Sequence, residues 1–177
     1  MTLYHYIATK DELLSLVVDE MMSEVALPVG TRLPGNWRTA ITLIAKRSRD
    51  ALRRHPWVLD ITDDPPFGPN GVRHFDQTMQ ALDSLDIPLT TKVELTMAVD
   101  EYVFGYCLHE RNNRAGGDDT RLSPQLESYL RELIATGEYP ALAAITERQS
   151  LPATWRQVAT AMRDDRRFDR NLNRLLD

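Results

Sequence analysis

A single cysteine, Cys107, denies this 177-residue chain any internal disulfide and any thiolate cluster for a metal. The histidines His5, His55, His74 and His109 show no ligand spacing such as His-x-x-x-His. Asp118-Asp119 lacks the glycine and glutamate of a calcium loop, so no metal site and no cofactor are expected. Long apolar runs are missing too: no window approaches the roughly 20 apolar residues that cross a bilayer. No basic segment followed by an apolar stretch opens the chain, so a soluble, cytoplasmic protein without membrane contact is expected. Positive charge is short, with 21 Lys and Arg against 26 Asp and Glu and a net charge of -5. That balance argues against a self-sufficient nucleic-acid binder, because phosphate contacts dominate such affinity. Phosphate loops, glycine-rich dinucleotide fingerprints and nucleophile elbows are absent. Cys107 and His109 cannot act as nucleophile and base, since residues two apart on a helix point away from each other. No catalytic residue is assigned, and the chain is not expected to be an enzyme.

What is present is helical. Hydrophobic residues make up 42% of the chain, enough at this length for one domain with a sizeable core. No stretch alternates with period two, so the class is all-α. Thr9 and Glu12 form a capping box for a helix from Lys10 to about Ala26, with Leu13, Leu16, Val17 and Met21 at helical spacing. After the turn at Leu27-Pro28-Val29-Gly30, Asn36 is an N-cap for a helix running to Arg54, and Pro56 can open a short one. The basic run Lys46, Arg47, Arg49, Arg53 and Arg54 reads as a solvated helix face. Residues Asp63 to Gly71 cannot continue a helix, after which Val72, Phe75, Met79 and Leu82 mark the next stripe. Thr91 and Glu94 are a second capping box, predicting a long helix to about Arg111 that is broken by Asn112 to Asp119. Ser123-Pro124 opens a helix that Gly137 stops, and Pro140 can begin another. Trp155, Val158, Ala159 and Met162 follow, then a charged break at Arg163 to Arg167, then Phe168, Leu172, Leu175 and Leu176.

The long helix carries two apolar stripes, Leu95, Val99, Tyr102 and Tyr106 on one and Met97, Phe104 and Leu108 on another. A helix apolar on two sides needs two partners, either inside a monomeric bundle or across a subunit boundary. Gly105, mid-helix, costs about 1 kcal/mol against alanine, which a dimer seam or a tight core contact would explain. Asp100 and Glu101 interrupt the stripe and either face a cavity where a polar ligand satisfies them or stay exposed or arginine-paired.

The segment Thr2, Leu3, Tyr4, Tyr6, Lys10, Asp11, Glu12, Leu13, Leu14 resembles the junction in TetR-type repressors where the DNA-reading helix hands over to the regulatory domain. The resemblance continues through Asn36-Trp37-Arg38, Arg53 to Trp57, Gly68 to Gly71, Tyr102 to Gly105 and Arg167 to Asp177. It implies a multi-helix regulatory domain with a long central helix and a four-helix-bundle dimer interface. Residues 1–9 are then the remnant of the helix-turn-helix recognition helix, and 10–177 the ligand-binding and dimerisation domain. Most of the helix-turn-helix would lie upstream, so this chain alone is not expected to read DNA.

By that resemblance the function is a transcriptional repressor that releases DNA when a small-molecule inducer binds. The partners are a second copy, operator DNA if the upstream helices are present, and an inducer of unknown identity. Positions Thr2, Tyr4, Tyr6 and Lys10 match those that approach DNA, with Tyr6 standing where histidine or phenylalanine is common. Candidate pocket residues are Trp57, Phe67, Phe75, Met79, Met97, Asp100, Glu101, Tyr102, Phe104 and His109, each also at home in an ordinary core. Gly105, Phe168, Leu172 and Leu175 are candidates for the dimer seam. A stand-alone ligand-binding or dimerisation domain is the alternative, and a small helical enzyme using Asp100 or Glu101 a third.

Overall fold

The computed structural model of the chain describes residues 9–61, 68–115 and 121–177, Arg114 and Ala115 by backbone alone. Among these residues there are eight α-helices, one 3-10 helix and no strand. The helices are α1 (Lys10–Val25), α2 (Trp37–Arg54), α3 (Pro69–Ala81), α4 (Leu89–Ala115), α5 (Pro124–Ala135), α6 (Pro140–Arg148), α7 (Leu151–Arg163) and α8 (Arg166–Leu176). The 3-10 helix is Pro56–Asp60. The predicted all-α class is the one found.

The chain, read from sequence as one domain over 10–177, divides into two compact units, 1–111 with 172–177 and 112–171.

In the first unit, α1 packs on α2 and α3, and α2 also packs on α3. The caps expected from sequence hold α1 and α2: Thr9 Oγ1 accepts from Glu12 N at 3.1 Å, and Asn36 Oδ1 accepts from Thr39 N at 3.1 Å. Gly30 takes φ +82 in the turn closed by Thr31 N to Pro28 O, a left-handed conformation that favours glycine. The core draws on Met21 and Val25 of α1, Ile41, Ile44 and Leu52 of α2, Leu82 after α3, and Val99, Val103 and Tyr106 of α4. Leu172 and Leu176 are buried, and Arg38 at the start of α2 pairs with the Asp177 side chain at 2.9 Å.

Three helix boundaries in this unit and at its edge differ from the sequence expectation. α3 starts at Pro69, inside the string read as a breaker. Proline at the first helical position needs no donor, and the next two amides are capped from another helix by Asp19. α4 starts at Leu89, so Thr91 lies inside the first turn rather than at its cap; the restricted backbone of Pro88 places the boundary there. The helix also runs through Asn112 and Asn113, which were expected to break it, and is described to Ala115.

In the second unit, α5 packs on α6 and α6 on α7. Ser123 Oγ accepts from Leu126 N at 3.2 Å, and Gly137 takes φ +79 after α5. α8 begins within the charged break because Asp164 Oδ1 accepts from Arg166 N at 2.9 Å while its Oδ2 receives Arg170 Nη1 at 2.7 Å. α5 and α6 bury no residue, and α7 only Leu151.

Candidate functional site

α3 owes its position to α1. Asp19 Oδ1 accepts from the backbone amides of Asn70 and Gly71, both at 3.0 Å, while Asn70 Nδ2 donates to the Asp19 carbonyl and to Oδ2. A Cβ on Gly68 would collide with the Asp19 side chain, so this capping residue must be glycine. A charged acceptor at a helix N-terminus satisfies orphan amides and complements the helix dipole. Nine residues on from Gly68, Gln77 donates to Leu27 O at 2.9 Å and accepts from Leu27 N at 2.8 Å.

Held this way, α3 carries His74, Phe75, Thr78 and Met79. His74 and Thr78 are buried, Met79 is half-buried, and Phe75 is 41% exposed. The Thr78 hydroxyl donates to the His74 carbonyl, its own helix's backbone. Thr96 of α4 is likewise buried and donates to Lys92 O. His74 Nε2 lies 3.9 Å from Asp100 Oδ1, beyond hydrogen-bond length, so ring and carboxylate face each other with the carboxylate end in water. The burial of the polar residues His74, Thr78 and Thr96 was missed in the sequence. His74 sits between apolar stripe positions, and only burial distinguishes it from a surface histidine.

The two stripes of α4 separate in their surroundings. Val99, Val103, Tyr106 and Cys107 are buried and Tyr102 is half-buried, its ring 5.9 Å from that of Tyr106. Met97, at 55%, and Phe104, at 38%, stay exposed on the other side. Asp100, Glu101 and His109 are also exposed. Trp57 on the 3-10 helix is partly exposed, with the His55 ring edge-on at 6.3 Å. Lys10 is exposed at the start of α1. Thr2, Tyr4, Tyr6 and Phe67 lie outside the described residues. Of the seam candidates, Phe168 and Leu172 are fully buried and Leu175 is exposed. Among the described residues nothing lies within 4 Å of a Cβ built on Gly105, which removes the tight core contact offered for that glycine.

The basic run on α2 is only in part the solvated face expected for it: Lys46, Arg53 and Arg54 are exposed, whereas Arg47 and Arg49 are turned to other helices. Arg47 donates to three carbonyls at the end of α1, those of Glu24, Val25 and Ala26, at 2.6–2.9 Å. α1 has no basic residue in its own last turn, so the cationic cap comes from α2. Arg49 meets Glu110 of α4 at 2.9 Å, with only 12% and 11% of the two side chains exposed, and stacks over Tyr106 at 5.0 Å. Arg53 reaches the other Glu110 oxygen at 3.6 Å. Arg54 and His55 both donate to the Glu24 carboxylate, and these bonds, His55 first, hold its pKa below the ordinary value of 4.5. Long side chains reached partners that spacing along one helix does not reveal. Burial pushes the Cys107 thiol up to about 11, with Glu110 adding to the shift, which disfavours its thiolate at neutral pH.

Two open grooves lie in the second unit. One, of about 300 Å3, includes Arg131, Ile134, Thr146 and Leu151; the other, of about 520 Å3, includes Arg156, Gln157, Asp164 and Arg170. Neither is lined by a residue singled out from the sequence as pocket-forming. Among the described residues no group of three His, Cys, Asp or Glu side chains could hold a metal ion, and no helix is long and apolar enough to cross a membrane.

Residues 31–177 match the family described as tetracyclin repressor-like, C-terminal domain. The HTH-type transcriptional repressor DrrR1 of Streptomyces coeruleorubidus is 28% identical over 155 residues, 83% of this chain and 56% of that protein. The chain thus spans little more than half the length of this curated relative. A possible TetR family transcriptional regulator from Streptomyces coelicolor A3(2) superposes with a TM-score of 0.69 at 28% identity, over 99% of this chain and 80% of that one. Apo ActR from Streptomyces coelicolor gives 0.67 at 25% identity, over 98% and 77%.

Proposed function

Because this chain belongs to the TetR family through its tetracyclin repressor-like C-terminal domain, we propose that it is the inducer-binding and dimerising part of a transcriptional repressor. The observation that carries the reading is the family match across 31–177. In it, residues 10–177 form the regulatory domain and residues 1–9 end a DNA-reading segment, with Thr2, Tyr4, Tyr6 and Lys10 placed toward DNA. The protein works in the cytoplasm, without catalysis, and the inducer releases DNA by binding one of two conformations better than the other.

The inducer is proposed to lie against α3 and α4, using Trp57, Phe67, Phe75, Met79 and Tyr102 as apolar surface. Asp100, Glu101 and His109 are the proposed polar contacts, joined by His74. A half-exposed aromatic and a buried imidazole near a carboxylate suit a flat, largely apolar molecule bearing a hydroxyl or phenol. ActR has also been solved with actinorhodin bound. That likeness, at 24% identity, carries the fold alone, so actinorhodin serves here only as a first probe.

A second copy is the proposed partner of the exposed stripe on α4, to which Met97 and Phe104, pocket candidates in the sequence, are reassigned beside Gly105, and of α8 through its exposed Leu175, since Phe168 and Leu172 are spent in the chain's own core. The second unit supports a partner as well. Helices that bury nothing of their own rely on further packing for stability, and Tyr129, Ile145, Val158 and Met162 remain exposed on α5, α6 and α7.

The test uses the protein from its native source. It is expected to be heavier than the 20.2 kDa of this chain and to bind DNA from upstream of its own gene in a polarisation assay. A native mass equal to this chain with no DNA binding would refute the repressor and favour the stand-alone ligand-binding domain.

A further inference from the structure

α1 and α3 are joined by more than apolar contact. At one end, Asp19 accepts four hydrogen bonds from Asn70 and Gly71, some fifty positions away. Two turns further along α3, the Gln77 amide occupies both the donor and the acceptor of Leu27, the residue that follows the α1 cap. A single bond would let one helix pivot on the other. Two clasps separated along the axis of α3 fix translation and rotation together. The fit at the first clasp is close, because Gly68 has no Cβ and the Asp19 side chain fills the space that one would need.

We propose that Asp19 and Gln77 are positioning residues that make α1 and α3 one mechanical body, so that a displacement of α3 is delivered to α1. Neither residue touches the proposed inducer surface, which lies further round α3 at Phe75 and Met79. The clasps act by leaving α3 no way to shift while α1 stays behind. Their use in signalling rests on the function proposed above, since α1 follows the segment that resembles the DNA-reading junction. The linkage itself is a property of this chain and can be tested without inducer or DNA.

The experiment is amide hydrogen exchange, read by mass spectrometry, on the full 177-residue chain. Met79→Phe serves as a wedge on the half-buried side of α3. In the otherwise unaltered chain the wedge is expected to speed exchange in α3 and in the middle of α1 alike, because both open as one unit. In an Asp19→Asn/Gln77→Leu background the acceleration is expected to stay in α3, with the response of α1 reduced about tenfold, the scale of a lost charge-assisted hydrogen bond. Stability loss alone would raise exchange in both helices and would not break the link between them. Should the double variant fail to fold, Gly68→Ala replaces it, since its methyl displaces the Asp19 carboxylate and opens the first clasp without deleting any polar group. The proposal is overturned if α1 answers the wedge equally in both backgrounds, or if the wedge never reaches α1 in the unaltered chain. A negative DNA or inducer assay would count against the repressor and leave the exchange result standing.

Discussion

Replacing Glu110 by glutamine removes the carboxylate that Arg49 and Arg53 share, in a place where water can do little to compensate. The Arg49 and Glu110 side chains are only 12% and 11% exposed, so the surface-pair discount does not apply. Breaking a buried pair by deleting one partner costs about 3–5 kcal/mol. We take the lower end, about 3 kcal/mol, because Arg53 is partly solvated and the Tyr106 ring still faces the Arg49 guanidinium. For a chain of this size that lowers Tm by about 6–12 °C. The assay is denaturant unfolding followed by tryptophan fluorescence in a Trp155→Phe background, which confines the signal to Trp37 and Trp57 of the first unit. Arg49→Met on top of Glu110→Gln is expected to recover part of the loss, because the buried cation leaves with its partner. A loss under about 1 kcal/mol, the range of exposed pairs, or strict additivity of the two changes, would refute the buried-pair reasoning.

Cys107 is expected to resist iodoacetamide in the folded chain at neutral pH and to react once the chain is unfolded, its thiol being raised to about 11; alkylation of the native protein at the rate of a free peptide thiol would contradict its burial. The carboxyl of Glu24 titrates below 4.5 in the folded chain, so its contribution to stability is complete above that value and drains away as pH falls through the depressed pKa. Glu24→Gln should therefore flatten the dependence of Tm on pH on the acid side, and an unchanged acid slope would remove the Glu24 cluster from the account. Gly105→Leu is expected to leave the folded monomer at least as stable, since nothing faces a Cβ there, yet to weaken self-association in light scattering. An intact dimer would take Gly105 out of the seam. Leu175→Glu, on an exposed position of α8, should likewise weaken association without lowering the monomer's Tm, and a matching fall in Tm would instead mark Leu175 as core.

What could be read in the sequence was local. Thr9, Asn36 and Ser123 cap their own helices within three residues, and each opens its helix as expected. The start of α3 was not readable that way, because its cap is Asp19 on α1. Two arginines of α2 were misjudged for the same reason, as Arg47 and Arg49 act on α1 and α4 rather than along their own helix. Apolar periodicity located both stripes of α4, but which was buried depended on the elements opposite. His74 was invisible as a site candidate because its burial comes from the surrounding fold, not from any spacing of its own.

The cap that Arg47 gives to α1 also bears on the order of folding. α1 ends with no cation of its own, buries only Met21 and Val25, and finds its fixed place beside α3 only when Gly68 to Gly71 reach Asp19. As the chain leaves the ribosome, α1 emerges before α2 and α3 yet cannot settle until both have followed it. A nascent chain halted before residue 68 would hold α1 frayed, so a helix made before both of its partners is secured only after them.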